Sequence, residues 1–286
     1  MDSLAFKVLW RLIAYSALIC ALLSFIVFWM YVHPARTVSG SHPRNFKLDA
    51  EELKLETSDG VKLDAWFLPN KTSKKAVILC HGYPMDKGDI LGMTAFLAKE
   101  FNLLYFDFRA TGRSGGFFST GGGREVRDID AAVKFLEGRG FREGVGIFGF
   151  SMGGAAALLS VSPSLKARAL DAPVARLSEE LDYIFLPWGV WRKPLLPLMK
   201  AWSLVLMGVN INSLNPVENT AAFAKPVLLV HGDADTQVPV SNSLAIKAAN
   251  PSAELWVVKG AGHGENYGRA GKEYERRLTD FFKKNL

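Results

Sequence analysis

The sequence is poor in cysteine and histidine, which excludes several classes of protein. Its 286 residues contain only two cysteines, Cys20 in an apolar run and Cys80 at the end of an apolar strand pattern. Two cysteines placed in this way predict no disulfide framework, and no Cys/His cluster has the spacing of zinc ligands. We therefore expect neither a bound metal nor another cofactor.

Charged residues are also scarce, at 22% of the chain, and the net charge is only +6. The basic residues are not gathered into a dense patch or stripe, which argues against nucleic acid as a partner. A hydrophobic fraction of 49% excludes disorder of the chain as a whole. The small basic excess favours weak attraction to an anionic membrane surface.

The longest stretch without charge runs from Leu12 to Val32. At about 1.5 Å per residue in a helix, such a stretch spans roughly 30 Å, the hydrocarbon thickness of a bilayer. Trp10 lies just before it, and Trp29 and Tyr31 lie near its end, as expected for residues at the two membrane interfaces. Residues 1–32 are therefore predicted to be a single-pass membrane anchor.

Two other interpretations of this segment remain open, a cleaved signal peptide and a buried helix. Lys7 and Arg11 would form the charged start of a signal peptide. However, signal peptides have apolar cores of about 7–15 residues, and no A-x-A-like cleavage site follows closely. Basic residues flank both ends of the segment in nearly equal number, so the positive-inside rule does not give a clear orientation. Because the segment begins like a signal sequence, we expect the rest of the chain to be extracytoplasmic.

Beyond the anchor, strand and helix patterns alternate along one domain. Residues 33–48 are rich in Pro, Ser, Gly and basic residues and predict a linker. Residues 49–286 then predict a mostly parallel sheet with helices on both faces. Two alternating runs around Ser58-Asp59-Gly60 predict a hairpin. The short continuous apolar runs typical of strands buried on both faces are Ala76–Cys80, Leu103–Phe108, Val145–Phe150, Val227–Val230 and Leu255–Val258.

One long interval interrupts this alternation. Between Asp171 and Lys225, about fifty residues show no clear strand, which is too long for an ordinary connection. The centre of the interval, Ile184–Val209, contains three of the seven tryptophans, three basic residues and no acidic residue. The interval predicts an inserted helical cap over about residues 175–222. Such a cap either packs over the sheet as ordinary core or covers an acyl-binding pocket as a lid.

The clearest chemical motif is Gly149-Phe150-Ser151-Met152-Gly153, which matches G-x-S-x-G. An apolar strand pattern precedes it, and a helix start rich in small residues follows. A tight strand-to-helix turn of this kind exposes the serine hydroxyl and requires small neighbours. Ser151 is therefore the predicted nucleophile.

A serine nucleophile requires a base that takes its proton and an acid that orients the base. His263, in a glycine-rich loop after the last strand pattern, is the predicted base. Asp235, on the loop after the strand Val227–Val230, is the predicted acid, because it lies deep enough to turn back toward His263. Asp233 on the same loop and Asp171 after an earlier strand remain the alternatives.

The oxyanion formed during acyl transfer requires backbone N–H donors. Tyr83 follows the strand Ala76–Cys80 and offers one such group, whereas the adjacent Pro84 has no N–H. Met152 offers a second group at the start of the helix that follows the nucleophile.

These features together resemble the α/β-hydrolase superfamily. The resemblance rests on the His81-Gly82 loop, the segment Phe106–Gly116, GFSMG, HGDADTQVP and GAGH, and covers about residues 50–286 apart from the cap. It extends to esterases, monoacylglycerol-lipase-like enzymes and S33-type aminopeptidases. It implies an eight-stranded sheet, and it assigns the family's triad to Ser151, Asp235 and His263 and its oxyanion positions to Tyr83 and Met152.

The sequence thus predicts a membrane-anchored serine hydrolase that cleaves an ester through an acyl-enzyme, with an acyl or lipid-derived small molecule as its substrate. An acyltransferase or peptidase using the same triad, and a non-catalytic binding protein of the same fold, are the alternatives. The sequence indicates nothing about the oligomeric state.

Overall fold

A computed structural model describes residues 4–142, 144–220, 223 and 225–286. Its strands are β1 (Glu51–Glu56), β2 (Lys62–Leu68), β3 (Ala76–Cys80), β4 (Asn102–Phe106), β5 (Val145–Phe150), β6 (Leu165–Asp171), β7 (Val227–Gly232) and β8 (Glu254–Val258). Its α-helices are α1 (Leu4–Val32), α2 (Leu91–Thr94), α3 (Val126–Gly138), α4 (Met152–Leu159), α5 (Leu177–Ile184), α6 (Arg192–Met207), α7 (Pro216–Thr220), α8 (Ser241–Ala249), α9 (Asn266–Ala270) and α10 (Lys272–Asn285).

The eight strands form one sheet in the order β1-β2-β4-β3-β5-β6-β7-β8. The pairings from β4 to β8 are parallel, while β1 with β2 and β2 with β4 are antiparallel. The sheet is therefore mixed rather than parallel throughout. The antiparallel edge begins with the predicted hairpin, whose turn residue Gly60 has a φ of 78° that a side chain would disfavour.

The strand β6 has no continuous apolar run, because it contains Lys166 and Arg168. Arg168 is nevertheless only 1% exposed. Its guanidinium donates hydrogen bonds to the carbonyl oxygens of Ala157 at 3.1 Å and Ser160 at 2.9 Å, and lies 4.0 Å from the ring of Phe223. Its Nη1 atom has no hydrogen-bond partner among the described residues, and burial lowers the pKa of Arg168 to about 10. The two carbonyl oxygens thus offset only part of the cost of burying this charge in the sheet.

Helices cover both faces of the sheet, as the alternating pattern predicts. On one face, α3 buries Ile129, Val133 and Leu136 against the strands, and α4 and α8 pack beside it. On the other face, α2 and α10 pack over the sheet, with Tyr274 and Phe282 fully buried. The central strands are thus shielded on both sides, which explains why β3, β4 and β5 are buried along their whole length.

The interval between β6 and β7 contains α5, α6 and α7, together with 3₁₀ turns at Leu186–Trp191 and Ile211–Ser213. We call the segment Leu177–Thr220 the cap. Its apolar residues form a separate core with Phe28 and Val32 of α1, to which the cap contributes Phe185, Leu195, Leu196, Met199, Met207 and Ile211. The predicted cap end at residue 222 lies outside the described residues, so the domain boundaries stay predictions.

The helix α1 is long and apolar enough to cross a membrane, by length and composition. A signal sequence near the N-terminus passes the same criterion. Residues 1–3 of the predicted anchor lie outside the described residues. The predicted linker, residues 33–48, lies against the domain: Arg36 donates to the carbonyl oxygens of Ser114 and Gly116, at 2.5 and 2.6 Å.

Candidate active site

Ser151 lies at the tight turn from β5 into α4. Its backbone has φ 53° and ψ −117°, a conformation that residues with a side chain rarely adopt. The surroundings enforce this turn, because a Cβ atom on Gly149 would lie 2.5 Å from the carbonyl oxygen of Gly153. A Cβ on Gly153 would lie 2.5 Å from the carbonyl oxygens of Cys80 and His81. Both glycines of the motif are therefore required by backbone contacts, Gly149 within the turn and Gly153 against the end of β3.

The structure brings Ser151, His263 and Asp235 together. Along the chain, His263 lies 112 residues from Ser151 and 28 residues from Asp235. The Nε2 atom of His263 lies 3.1 Å from Ser151 Oγ. The Nδ1 atom of His263 lies 2.7 Å from Asp235 Oδ2. The ring of Phe150 packs against the imidazole, with centroids 4.9 Å apart.

Asp235 is buried, and burial alone would raise its pKa. Hydrogen bonds from His231, His263 and the N–H of Val238 outweigh burial and hold the pKa of Asp235 well below its usual range. Asp235 is therefore ionised and accepts a hydrogen bond from Nδ1–H of His263. This fixes the imidazole tautomer, so that Nε2 is free to accept a hydrogen bond from the hydroxyl of Ser151.

The two alternative acids have other partners. Asp233 Oδ1 accepts a hydrogen bond from the N–H of Gly260 at 2.5 Å. The two oxygens of Asp171 accept hydrogen bonds from Asn266 at 2.7 Å and from Tyr274 at 2.6 Å. Of the three acids, Asp235 is the one hydrogen-bonded to His263.

The predicted oxyanion donors lie beside the nucleophile. Tyr83, Ser151, Met152 and His263 line one cavity. Met152 is the first residue of α4, and the N–H groups of a first helical turn have no acceptor within the helix. Nearby, the loop that carries Tyr83 is held by buried His81, whose Nε2 accepts a hydrogen bond from the N–H of Phe108 at 2.9 Å.

The cavity has a volume of about 620 Å³, in the range of small-molecule sites. The cap contributes apolar walls from α5 and α6, including Leu181, Met199 and Met207. The helix α1 also contributes, with Phe28, Tyr31 and Val32. Polar residues also line the cavity, among them Thr120, Lys200 and Gln237.

Glu180 is a polar residue of the cavity wall that the sequence did not predict as part of the site. Glu180, on α5 of the cap, is only 6% exposed, and its Oε2 atom has no hydrogen-bond partner among the described residues. Burial, with a smaller contribution from Asp235, raises the pKa of Glu180 to about 7, although His263 and His231 act in the opposite direction. No motif marks this glutamate, because only the folding of the cap brings it to the cavity.

Within the described residues, no group of three or more His, Cys, Asp or Glu side chains is arranged to hold a metal ion.

Comparison with known proteins relates most of the chain to one group. The model of the prolyl oligopeptidase family matches residues 92–286. The protein YqkD of Bacillus subtilis is 28% identical over 244 residues, which cover 82% of this chain and 80% of YqkD. The protein Rv2307c of Mycobacterium tuberculosis is 30% identical over 226 residues, which cover 75% of this chain and 72% of that protein.

Among solved structures, the Pyrococcus furiosus esterase Pf2001 superimposes with a TM-score of 0.76 and 28% identity, covering 90% of this chain and 98% of the esterase. The family match and this esterase confirm the resemblance to the α/β-hydrolase superfamily.

Glu180 generates a prediction about stability and pH. Folding raises the pKa of Glu180 from 4.5 to about 7. At low pH the carboxyl is protonated in both the folded and the unfolded state, so its burial as a charge costs nothing. The free energy of unfolding then falls progressively as the pH rises from 4.5 to 7. Glu180→Gln removes the ionisation, and we expect it to stabilise the protein by about 2 kcal/mol more near pH 8 than near pH 5. Thermal unfolding at both pH values measures the difference.

Glu179→Gln is the matched control, because Glu179 is the exposed neighbour on the same helix. An equal effect of Glu180→Gln at both pH values would contradict a raised pKa at this position.

Proposed function

We propose that this chain, which belongs to the prolyl oligopeptidase family, is a serine hydrolase that cleaves carboxylic esters through an acyl-enzyme. The family match and the esterase Pf2001 directly support a hydrolase. The proposal goes further in naming Ser151 as nucleophile, His263 as base and Asp235 as the acid that orients it. The observation that carries it is the hydrogen-bonded series from Ser151 through His263 to Asp235, with the serine lining a cavity.

The reaction follows from this geometry. Ser151 Oγ attacks the ester carbonyl while His263 Nε2 takes its proton, and ionised Asp235 stabilises the resulting imidazolium. The N–H groups of Tyr83 and Met152 hold the developing oxyanion. The imidazolium then protonates the leaving alkoxide, so an alcohol departs and an acyl group remains on Ser151. Water, activated by the same histidine, releases the acid and restores the enzyme.

We propose an acyl or lipid-derived ester as the substrate. The cavity wall provided by α1 and α6 is apolar, and both helices expose large apolar side chains elsewhere on their surfaces. The cap also carries Arg192 and Lys193, which would meet lipid headgroups at a membrane surface. Lys200 instead lines the cavity, and its Nζ donates a hydrogen bond to Ser178 Oγ at 2.7 Å. An enzyme held at a bilayer by α1 would find such esters at high local concentration.

Peptide cleavage is the second candidate, since the matching family is named for a peptidase. The acyl-enzyme would be the same, so the two activities differ only in the leaving group. Turnover of acyl esters compared with acylated amides separates them. Product analysis with an added alcohol acceptor identifies an acyltransferase instead.

Ser151→Ala tests the proposal most directly. We expect it to abolish covalent labelling by a fluorophosphonate and to lower kcat for a test ester by several orders of magnitude, because no other group replaces the nucleophile. Labelling is read by gel and turnover by release of the alcohol. Turnover at the wild-type rate in the folded variant would refute a Ser151 nucleophile, and with it a serine hydrolase of this kind.

The choice of acid generates a second comparison, between Asp235→Asn and Asp233→Asn. Asparagine at position 235 removes the ionised partner of Nδ1 and favours the wrong imidazole tautomer, so we expect a loss of kcat on the order of 10⁴-fold. Among the described residues, the Asp233 carboxylate bonds only to the backbone N–H of Gly260, and its substitution should change kcat by a few-fold at most. The reverse ranking of the two variants would assign the acid to Asp233.

We further propose that α1 is an uncleaved membrane anchor with the catalytic domain on the extracytoplasmic side. The full-length protein should then remain in the membrane fraction through salt and carbonate washing. Protease added to intact cells or spheroplasts should digest the catalytic domain. Digestion only after lysis would place that domain in the cytoplasm, and release of the protein by carbonate would argue against a spanning helix.

A further inference from the structure

We propose that the last two turns of α1 form the wall of the acyl-binding site that determines which acyl chains the enzyme accepts, with Phe28 as the determining residue. This inference rests on the proposed function and deepens it, because it assigns a substrate-selecting role to a helix whose composition predicts only an anchor.

The burial of α1 divides it into two parts. Ser24, Phe28 and Val32 are the buried residues of the helix, and their spacing of four places them along one face. Phe28 is 3% exposed, whereas Leu22, less than two turns earlier, is 57% exposed. The exposed part suits a bilayer, and the buried face packs as part of the folded domain.

Polar contacts fix the position of the buried part. Trp202 of α6 donates a hydrogen bond to Ser24 Oγ at 3.0 Å, and Ser24 Oγ donates to the carbonyl oxygen of Ala21 at 2.7 Å. At the end of the helix, the N–H of Ser119 donates to the carbonyl oxygen of Val32 at 2.9 Å. Specific hydrogen bonds at both ends of this face define one register of α1 against the domain, which a simple tether would not require.

The same helix end contacts the predicted oxyanion residue. The hydroxyl of Tyr83 donates a hydrogen bond to the carbonyl oxygen of Tyr31 at 2.5 Å. Burial raises the pKa of Tyr83 to about 12, so its hydroxyl keeps the proton for this contact at any ordinary pH. The wall formed by α1 is thereby connected to the loop beside Ser151.

The end of α1 lies in the wall of the cavity that contains Ser151. Phe28, Tyr31 and Val32 line the same cavity as Ser151 and His263. A hydrocarbon chain bound there meets the Phe28 ring, which packs in a core with α6 and cannot move away without opening that core. The size of the residue at position 28 therefore sets the space available to the acyl chain.

The experiment uses the full-length protein in lipid nanodiscs, with two substitutions of opposite effect at one position. Phe28→Ala enlarges the cavity and should raise the ratio of kcat/KM for hexadecanoate over butyrate esters about tenfold or more, the usual scale of methylene discrimination in apolar pockets. Phe28→Trp should lower the same ratio. Leu22→Ala, on the exposed part of the helix, should leave it unchanged.

Two features keep the result interpretable. Opposite shifts at one position cannot arise from partial unfolding, and fluorophosphonate labelling of each variant reports an intact Ser151. Equal chain-length profiles for wild type, Phe28→Ala and Phe28→Trp would overturn the inference, even though the esterase itself remained active.

A binding measurement separates this inference from the proposed function. In the Ser151→Ala background, the Phe28 substitutions should still change the affinity for dodecanoate, because acyl binding requires no turnover. Affinity changes there, together with full ester turnover by Ser151→Ala, would refute the nucleophile and retain the acyl-binding wall. Unchanged affinity together with inactive Ser151→Ala would refute the wall and retain the hydrolase.

Discussion

The arrangement of the site depends on one close contact, that between the turn around Ser151 and the end of β3. Gly153 allows the backbone of α4 to approach the carbonyl oxygens of Cys80 and His81 at a distance that excludes any side chain, and Gly149 allows the turn to close against Gly153 and Gly154. This contact forces Ser151 into its unusual backbone conformation and aims its hydroxyl away from the sheet. It also brings the start of α4 close to the loop that carries Tyr83, so the predicted nucleophile and the predicted oxyanion donors are positioned by the same constraint.

Burial and hydrogen bonding then determine the protonation states of the groups around Ser151. Asp235 gathers enough hydrogen bonds to remain ionised despite burial, and its charge fixes the tautomer of His263. Burial raises the pKa of Glu180 to about 7, because it outweighs a hydrogen bond with Asn242 and the attraction of His263 and His231. The two carboxyl groups thus differ because hydrogen bonds outweigh burial at Asp235, whereas burial dominates at Glu180.

The cap and α1 complete the cavity from outside the sheet. The core that they share buries Phe28 and Val32 beside residues of α6, so the helix predicted as an anchor also belongs to the catalytic domain. Hydrophobic burial and the Trp202–Ser24 hydrogen bond hold the two helices together. In the proposed enzyme, a substrate site built partly from this apolar N-terminal helix would couple the choice of substrate to the proposed membrane attachment.

The sequence by itself determined the strands with continuous apolar runs, the hairpin, the motif around Ser151 and the interval that forms the cap, because each depends on local pattern. It also placed His263 and Asp235 on loops that follow strands. Tertiary structure decided the rest: which aspartate reaches His263, that β6 can bury Arg168, and that Glu180 and Phe28 line the cavity. These outcomes depend on contacts between residues far apart in the chain, such as Ser24 and Trp202, and no local spacing encodes them.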